Sequence, residues 1–118
     1  MGITKVKMTV LNPQNESNFV DVNFLVDSGA THSFVPSEIL KELGIKPNDE
    51  RDFVLANGDL ITRKLGVAVF KFKNRSALSQ VVFAEDGDES LLGVVTLENM
   101  GLGLNPIQRV LVPLRFRA

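Results

Sequence analysis

Cysteine is absent from the 118 residues, and histidine occurs once. These absences exclude disulfides and thiolate metal sites, and one histidine cannot by itself build a zinc site. No apolar run is long enough to cross a bilayer, and the amino terminus lacks the apolar stretch of a signal peptide. The net charge of −1 provides no basic field that would attract nucleic acid. We therefore expect a soluble, cytoplasmic protein that uses no metal or cofactor and binds neither nucleic acid nor a membrane.

Length and apolar content predict one domain, spanning residues 1–118. Apolar residues make up 44% of the chain, which is ordinary for a globular protein with a single core. Short apolar runs, several of them alternating with polar residues, predict β-strands over residues 3–11, 19–26, 66–73, 77–84 and 109–117. The charged stretches 49–52 and 85–89 are expected to be solvated loops. The sequence therefore predicts a mostly β protein.

Two short helices interrupt this pattern. The first is expected after Pro36, with Ser37 as its N-cap and Gly44 ending it in the left-handed conformation. A strand, a glycine turn and a short helix are expected a second time over residues 91–102. The two halves of the chain thus echo each other, although the second half carries no acid at the matching position.

The stretch of residues 24–31 is where an apolar strand meets a charge. Phe24, Leu25 and Val26 predict a buried strand, and it ends abruptly on Asp27. Ser28, Gly29, Ala30 and Thr31 follow, and the glycine and the small residue allow a tight turn. A carboxylate placed there is costly unless it is paired or hydrogen-bonded. It therefore has either a turn-capping role, with Ser28 bonding the backbone, or a chemical one.

Two further stretches accompany it. The sequence Ala56-Asn57-Gly58-Asp59 lies between two apolar runs, and Asn-Gly in that setting is a strong hairpin signal. Near the end of the chain stands the apolar-apolar-glycine stretch Leu91-Leu92-Gly93. By itself, the stretch of residues 56–59 predicts only a surface hairpin.

Taken together, these three stretches resemble the retropepsin-like aspartic proteases, in particular their small single-domain prokaryotic relatives. The resemblance extends from about residue 20 to residue 102. It implies a closed, mostly β barrel with a flap hairpin and one or two short helices. It also implies a role for each stretch: Asp27 is catalytic, Ser28, Gly29, Ala30 and Thr31 form the active-site loop, Ala56, Asn57, Gly58 and Asp59 form the flap, and Leu91, Leu92 and Gly93 support the loop.

This resemblance has a consequence for assembly. Aspartic proteases use two carboxylates around one water, and the chain supplies a single suitable Asp27. The expected enzyme is therefore a homodimer that cuts a polypeptide substrate bound in extended conformation, with residues 3–11 or 109–117 pairing across the dimer. The expected lining of its cleft is apolar: Val26, Leu55, Leu60, Ile61 and Leu92.

Other interpretations stay open. The domain could be a catalytically silent dimeric module of the same fold that binds peptides or acts as a scaffold. It could also be an assembly module whose terminal strands pair with another chain. His32, just beyond the loop, is expected to be a loop or surface histidine without a catalytic role. No serine-nucleophile elbow surrounds Ser28.

Overall fold

The computed structural model describes residues 3–116. Nine strands and two helices follow one another along this part of the chain: β1 Lys5–Asn12, β2 Asn15–Val26, β3 Ser33–Pro36, α1 Ser37–Glu42, β4 Asp49–Val54, β5 Leu60–Phe72, β6 Arg75–Ala84, β7 Leu91–Leu92, α2 Val94–Asn99, β8 Leu102–Asn105 and β9 Val110–Pro113. The expected mostly β protein with two short helices is confirmed.

Six of the strands form a closed ring. Their order is β1-β2-β7-β3-β6-β5, and β5 returns to β1 through the pairing of Thr9–Leu11 with Val69–Lys71. Closure of this kind leaves few strand edges exposed. The fourth strand adds to the amino-terminal half of β5, and β8 and β9 form a separate two-stranded sheet. The ring is compatible with the predicted barrel but is not a clean barrel, because β4, β8 and β9 lie outside it.

The core fills the inside of this ring. Alternation along β2 places Val22, Phe24 and Val26 inside, with at most 8% of each exposed, while Asp21 and Asn23 face solvent. The ring of Phe24 meets that of Phe70 at a centroid distance of 6.0 Å. Burial of such apolar side chains is the main favourable contribution to folding. The strand that ends at Asp27 is thus fixed by the core.

The first helix begins one residue differently from the prediction. Pro36 still pairs with Ala84 as the last residue of β3, so it occupies the N-cap position and Ser37 is already helical. Within residues 3–116 no side chain caps this helix, and the Ser37 N-cap prediction was wrong. Gly44 does end the helix with a φ of +79°, as predicted, and the Ile45 amide donates to Leu40 O, a hydrogen bond typical of such an ending.

Two charged stretches are more ordered than expected. Residues 49–52 are not a loop, because they belong to β4 and pair along β5, although their side chains are exposed. The acidic stretch 85–89 is a turn, but Asp88 is mostly buried against Arg63. Tertiary pairing, which no local pattern records, determines both outcomes.

The terminal strands differ from the prediction in their neighbours. The strand expected over residues 3–11 is β1, which lies between β2 and, at residues 9–11, β5. Residue 117 of the strand expected over 109–117 lies outside the described residues. Within the described part the strand is shorter than expected, because Arg109 turns with a φ of +57° and β9 ends at Pro113. Among residues 3–116, β9 pairs only with β8.

Candidate active site

Asp27 stands where β2 leaves the barrel. The two-residue strand β7 lies beneath it, parallel to the end of β2 and antiparallel to β3. The Asp27 amide donates to Leu92 O over 3.1 Å, so this buried leucine holds the backbone of the acid. Asp27 as a residue is half-buried, at the boundary between the core and the surface. Two strands that are distant in sequence therefore fix its position.

The loop after Asp27 folds back on the acid. The Gly29 amide donates to Asp27 Oδ1 over 2.9 Å, and the Ala30 amide donates to Asp27 O over 3.1 Å. This is the geometry of an aspartate that caps its own turn. A carboxylate accepts several hydrogen bonds, so the capping role leaves capacity for another partner. Ser28 is exposed at the tip of the turn.

The second helix holds the loop from the other side. Its first amides, those of Val94 and Val95, donate to Ala30 O and Thr31 O over 2.8 and 3.2 Å. Gly93 makes this approach possible, since a Cβ there would lie 2.5 Å from the carbonyl oxygen of His32. No side chain fits at that distance. The Leu91-Leu92-Gly93 stretch and the loop of residues 27–31 are therefore in direct contact.

A chain of buried hydroxyls lies directly under this contact. Ser33 Oγ accepts from the Gly93 amide over 2.9 Å and lies 2.6 Å from Thr96 Oγ1. Thr96 Oγ1 is in turn 2.9 Å from Ser79 Oγ, which donates to Gln80 O. All of these hydrogen bonds can run in one direction, from the Gly93 amide to Gln80 O, so that each of the three hydroxyls accepts one hydrogen bond and donates one. The chain connects β3, α2 and β6 beneath the loop.

Sequence reasoning missed these three hydroxyls. Ser33 and Thr96 are fully buried and Ser79 is 5% exposed. Their only signal is that each stands beside or within an apolar run, where a lone polar residue requires a buried partner. The sequence does not say which partner, because Ser33 and Thr96 are 63 positions apart.

The β4–β5 hairpin approaches the loop from above. Leu55 and Asp59 close it through the Leu55 amide and Asp59 O, which leaves a three-residue turn of Ala56, Asn57 and Gly58. Gly58 has a φ of +90°, and the Asp59 amide donates to Asn57 Oδ1. Residues 56–59 therefore form the expected hairpin turn, with the left-handed residue in third place rather than in a two-residue turn.

A cleft of about 690 Å³ separates the hairpin from the Asp27 loop. Asp27, Gly29, Ala30 and Thr31 line one side of it, and residues 51–56 line the other. Ligand sites of proteins are commonly clefts of this size. The structure thus brings the acid and the hairpin to opposite walls of one cavity.

Aromatic side chains form the inner wall of this cleft. The Phe53 ring meets the His32 ring edge-on at 5.3 Å and the Phe34 ring at 5.6 Å. His32 is therefore half-buried beside the cleft, within the loop between β2 and β3, which agrees with the expected loop position.

The expected apolar lining was mostly wrong. Of the five residues, only Leu55 faces the cleft. Val26 and Leu92 lie in the core below it, Leu60 points to solvent with 70% exposed, and Ile61 packs on a small apolar cluster at the base of the hairpin. The apolar residues that line the cleft are Ala30, Phe34, Phe53, Val54, Leu55, Ala56 and Leu91.

One ion pair fastens the hairpin to the barrel. Arg63 on β5 donates to both Asp88 carboxylate oxygens, over 2.6 and 3.0 Å. These bonds hold the pKa of the Asp88 carboxyl below its usual value of 3.8, against the opposing effect of burial. The same hydrogen bonds raise the pKa of Arg63. The pair is therefore charged throughout the neutral and mildly acidic range.

No group of three or more His, Asp or Glu side chains within residues 3–116 is arranged to hold a metal ion. In the same part of the chain, no helix is both long and apolar enough to cross a membrane.

Comparison with known proteins gives one family. The family model described as "gag-polyprotein putative aspartyl protease" matches residues 5–99, from β1 to the end of α2. The solved "Crystal structure of a retropepsin-like aspartic protease from Rickettsia conorii" is 25% identical to this chain, and the alignment covers 86% of this chain and 84% of that one with a TM-score of 0.44. No curated protein matches the sequence.

Proposed function

Since this chain belongs to the retropepsin-like gag-polyprotein aspartyl protease family, we propose that it is an aspartic endopeptidase that acts as a homodimer. The observation that carries the proposal is the position of Asp27. Asp27 directly follows a buried strand, is half-buried and lines a cleft that the β4–β5 hairpin also lines. A carboxylate positioned in this way, with one backbone hydrogen bond to Oδ1, is suited to activate a water molecule.

The proposed reaction needs two Asp27 carboxylates around one water. The ionised carboxylate accepts a proton from the water as the water attacks the scissile carbonyl carbon. The protonated carboxylate donates a hydrogen bond, and then its proton, to the carbonyl oxygen, which gives a tetrahedral diol. The carboxyl that took the proton of the water then passes it to the amide nitrogen, the C–N bond breaks, and a diol proton returns to the other carboxylate as the new carboxyl and amine are released. Two carboxyl groups this close share one proton, because both cannot ionise without strong repulsion. The second carboxylate would come from a second copy of the chain, across a two-fold axis.

We assign the dimer interface to the hairpin formed by β8 and β9. The first strand already has neighbours on both sides at residues 9–11, whereas β9 pairs only with β8 among residues 3–116. Apolar side chains are exposed on and next to the hairpin, with Ile107 90%, Val110 46% and Phe116 62% accessible. An exposed strand edge with apolar side chains favours pairing with another chain.

The substrate that fits this cleft is an extended peptide with bulky apolar residues near the cut. Phe34, Phe53 and Leu91 supply apolar walls, and the unpaired side of β4 offers backbone groups to an extended chain. Residues 56–59 would then act as the flap that excludes water from the bound peptide. In this proposal Leu92 and Gly93 support the Asp27 loop, and Ser28 braces it against its symmetry mate.

The direct test is digestion of a peptide library between acidic and neutral pH, read by mass spectrometry, with wild type and Asp27→Asn in parallel. We expect new termini between bulky apolar residues with wild type only. A statine-type peptide should suppress them. Cleavage by Asp27→Asn at the wild-type rate would refute the proposal. Binding of library peptides without any cleavage would instead indicate the silent peptide-binding module.

A further inference from the structure

The ion pair between Arg63 and Asp88 connects two parts of the fold that surround the cleft. Arg63 lies on the β5 arm of the hairpin, and Asp88 lies in the turn between β6 and β7. The pair is bidentate, and its side chains are only 17% and 14% exposed. Bidentate, charge-assisted hydrogen bonds fix orientation as well as distance. The contact therefore restricts how the hairpin arm sits on the barrel.

A second arginine on the same hairpin provides the contrast. Arg51 lies directly opposite Arg63 in the β4–β5 ladder and pairs with Asp49, which is on its own strand. Both side chains of that pair are about half exposed, at 50% and 42%. Exposed local pairs contribute little to stability, because solvent screens them. Of these two ion pairs, the Arg63 pair is the one that connects the hairpin to another part of the chain.

The Asp88 turn is itself tied to the strand beneath the catalytic loop. Asp88 Oδ2 accepts from the Glu85 amide over 2.9 Å, and the Asp88 amide donates to Glu85 O over 3.0 Å. Two residues later, Ser90 O accepts from the Leu25 amide, and the chain enters β7 under Asp27. The segment that holds Asp88 is therefore continuous with the support of the active-site loop.

Apart from this pair and the continuation of β5 into the barrel, apolar packing positions the hairpin. Within residues 3–116, β4 pairs only with β5, and the turn is exposed. Phe53 anchors the β4 arm against Phe34 and His32. The β5 arm is held by the packing of Ile61 and by the Arg63–Asp88 pair. The ion pair is the directional contact among these, so its loss leaves the hairpin freer to tilt over the cleft.

We propose that Arg63 and Asp88 form a hairpin clamp, a pair of positioning residues that fixes the hairpin at its working distance above Asp27. The proposal rests on the proposed function for its effect on catalysis, but the structural role of the clamp does not depend on cleavage. Glu85 is another acid near Arg63, and its negative charge favours the charged form of the Arg63 guanidinium.

Native-state hydrogen exchange tests the clamp without any need for activity. In Arg63→Met and in Asp88→Asn, we expect the amides of residues 49–64 to exchange at least about tenfold faster, because the hairpin opens more often. The amides of β2 and β6 should keep their wild-type rates. The double variant should resemble the single variants, since the two residues act as one unit. The matched control is Arg51→Met, which should change hairpin exchange by less than about twofold.

Two results would overturn the clamp. One is unchanged hairpin exchange in both single variants, and the other is an equal acceleration of every amide, which would mark the pair as general stabilisation. Kinetics then separate the clamp from the function. If wild type cleaves peptides, Arg63→Met should raise KM more than it lowers kcat, and an unchanged KM refutes positioning while leaving the protease intact. If wild type cleaves nothing, the proposed function fails, and hydrogen exchange still decides the clamp.

Discussion

Replacing Thr96 by valine tests the buried hydroxyl chain while keeping the shape of the side chain. Thr96 Oγ1 is fully buried and bonded to Ser33 Oγ over 2.6 Å and to Ser79 Oγ over 2.9 Å. Valine leaves both serines with one partner fewer, although each keeps a backbone partner at the Gly93 amide or at Gln80 O. An unsatisfied buried polar group costs about 1–3 kcal/mol, so two partly satisfied serines predict a loss of about 2–3 kcal/mol.

The assay is thermal and urea unfolding at matched protein concentration. For a domain of this size, the predicted loss lowers the melting temperature by roughly 8–12 °C. The control is Thr9→Val, because Thr9 donates only to the exposed Asp21 carboxylate and should cost about 1 kcal/mol or less. If Thr96→Val is no more destabilising than this control, the hydroxyl chain does not support the loop and our reasoning is wrong.

Three further predictions follow from the same geometry. Gly93→Ala places a Cβ 2.5 Å from a backbone oxygen and should lower the free energy of unfolding, measured in urea, by more than about 3 kcal/mol. The control is Gly58→Ala, at a φ of +90° in open space, which should lower it by about 1 kcal/mol. Because Arg63 holds the folded-state pKa of Asp88 below its usual 3.8, the contribution of this pair is complete above about pH 4 and is lost as the pH falls through the folded value. The stability difference between wild type and Asp88→Asn should therefore be constant from pH 7 to about pH 5 and shrink below about pH 4 in urea titrations. Phe53→Ala removes an aromatic wall of the cleft and should lower kcat/KM for peptides with bulky apolar residues by at least about tenfold, with a smaller loss for peptides with small residues; equal losses for both would refute the assigned wall.

Local sequence patterns predicted the elements whose cause is local. Alternation defined β1 and β2, because one face of each strand is buried in the barrel. The glycine at position 44 has a left-handed conformation, which few other residues adopt easily, so the end of α1 was readable from one residue type. The hairpin around Asn57 and Gly58 was readable for the same reason.

Features that depend on distant partners were not readable. The charged β4 carries no apolar alternation, and only its pairing with β5 makes it a strand. The sequence does not distinguish Asp88 from the other acids of its turn, because its partner Arg63 is 25 positions away. The cleft wall was misjudged because the local pattern predicts that Val26 and Leu92 are buried, but the closed barrel determines that they lie in the core and not on the wall of the cleft.

The central claim is that one active site needs the Asp27 of two subunits, and subunit mixing measures this directly. Wild type and Asp27→Asn are mixed in equal amounts, left to exchange subunits by dilution and reconcentration, and assayed on one peptide at constant total protein. If both carboxylates are required, only dimers of two wild-type subunits cut, and about one quarter of the wild-type activity remains. Retention of about one half would mean that each subunit carries a complete site, and it would contradict the account.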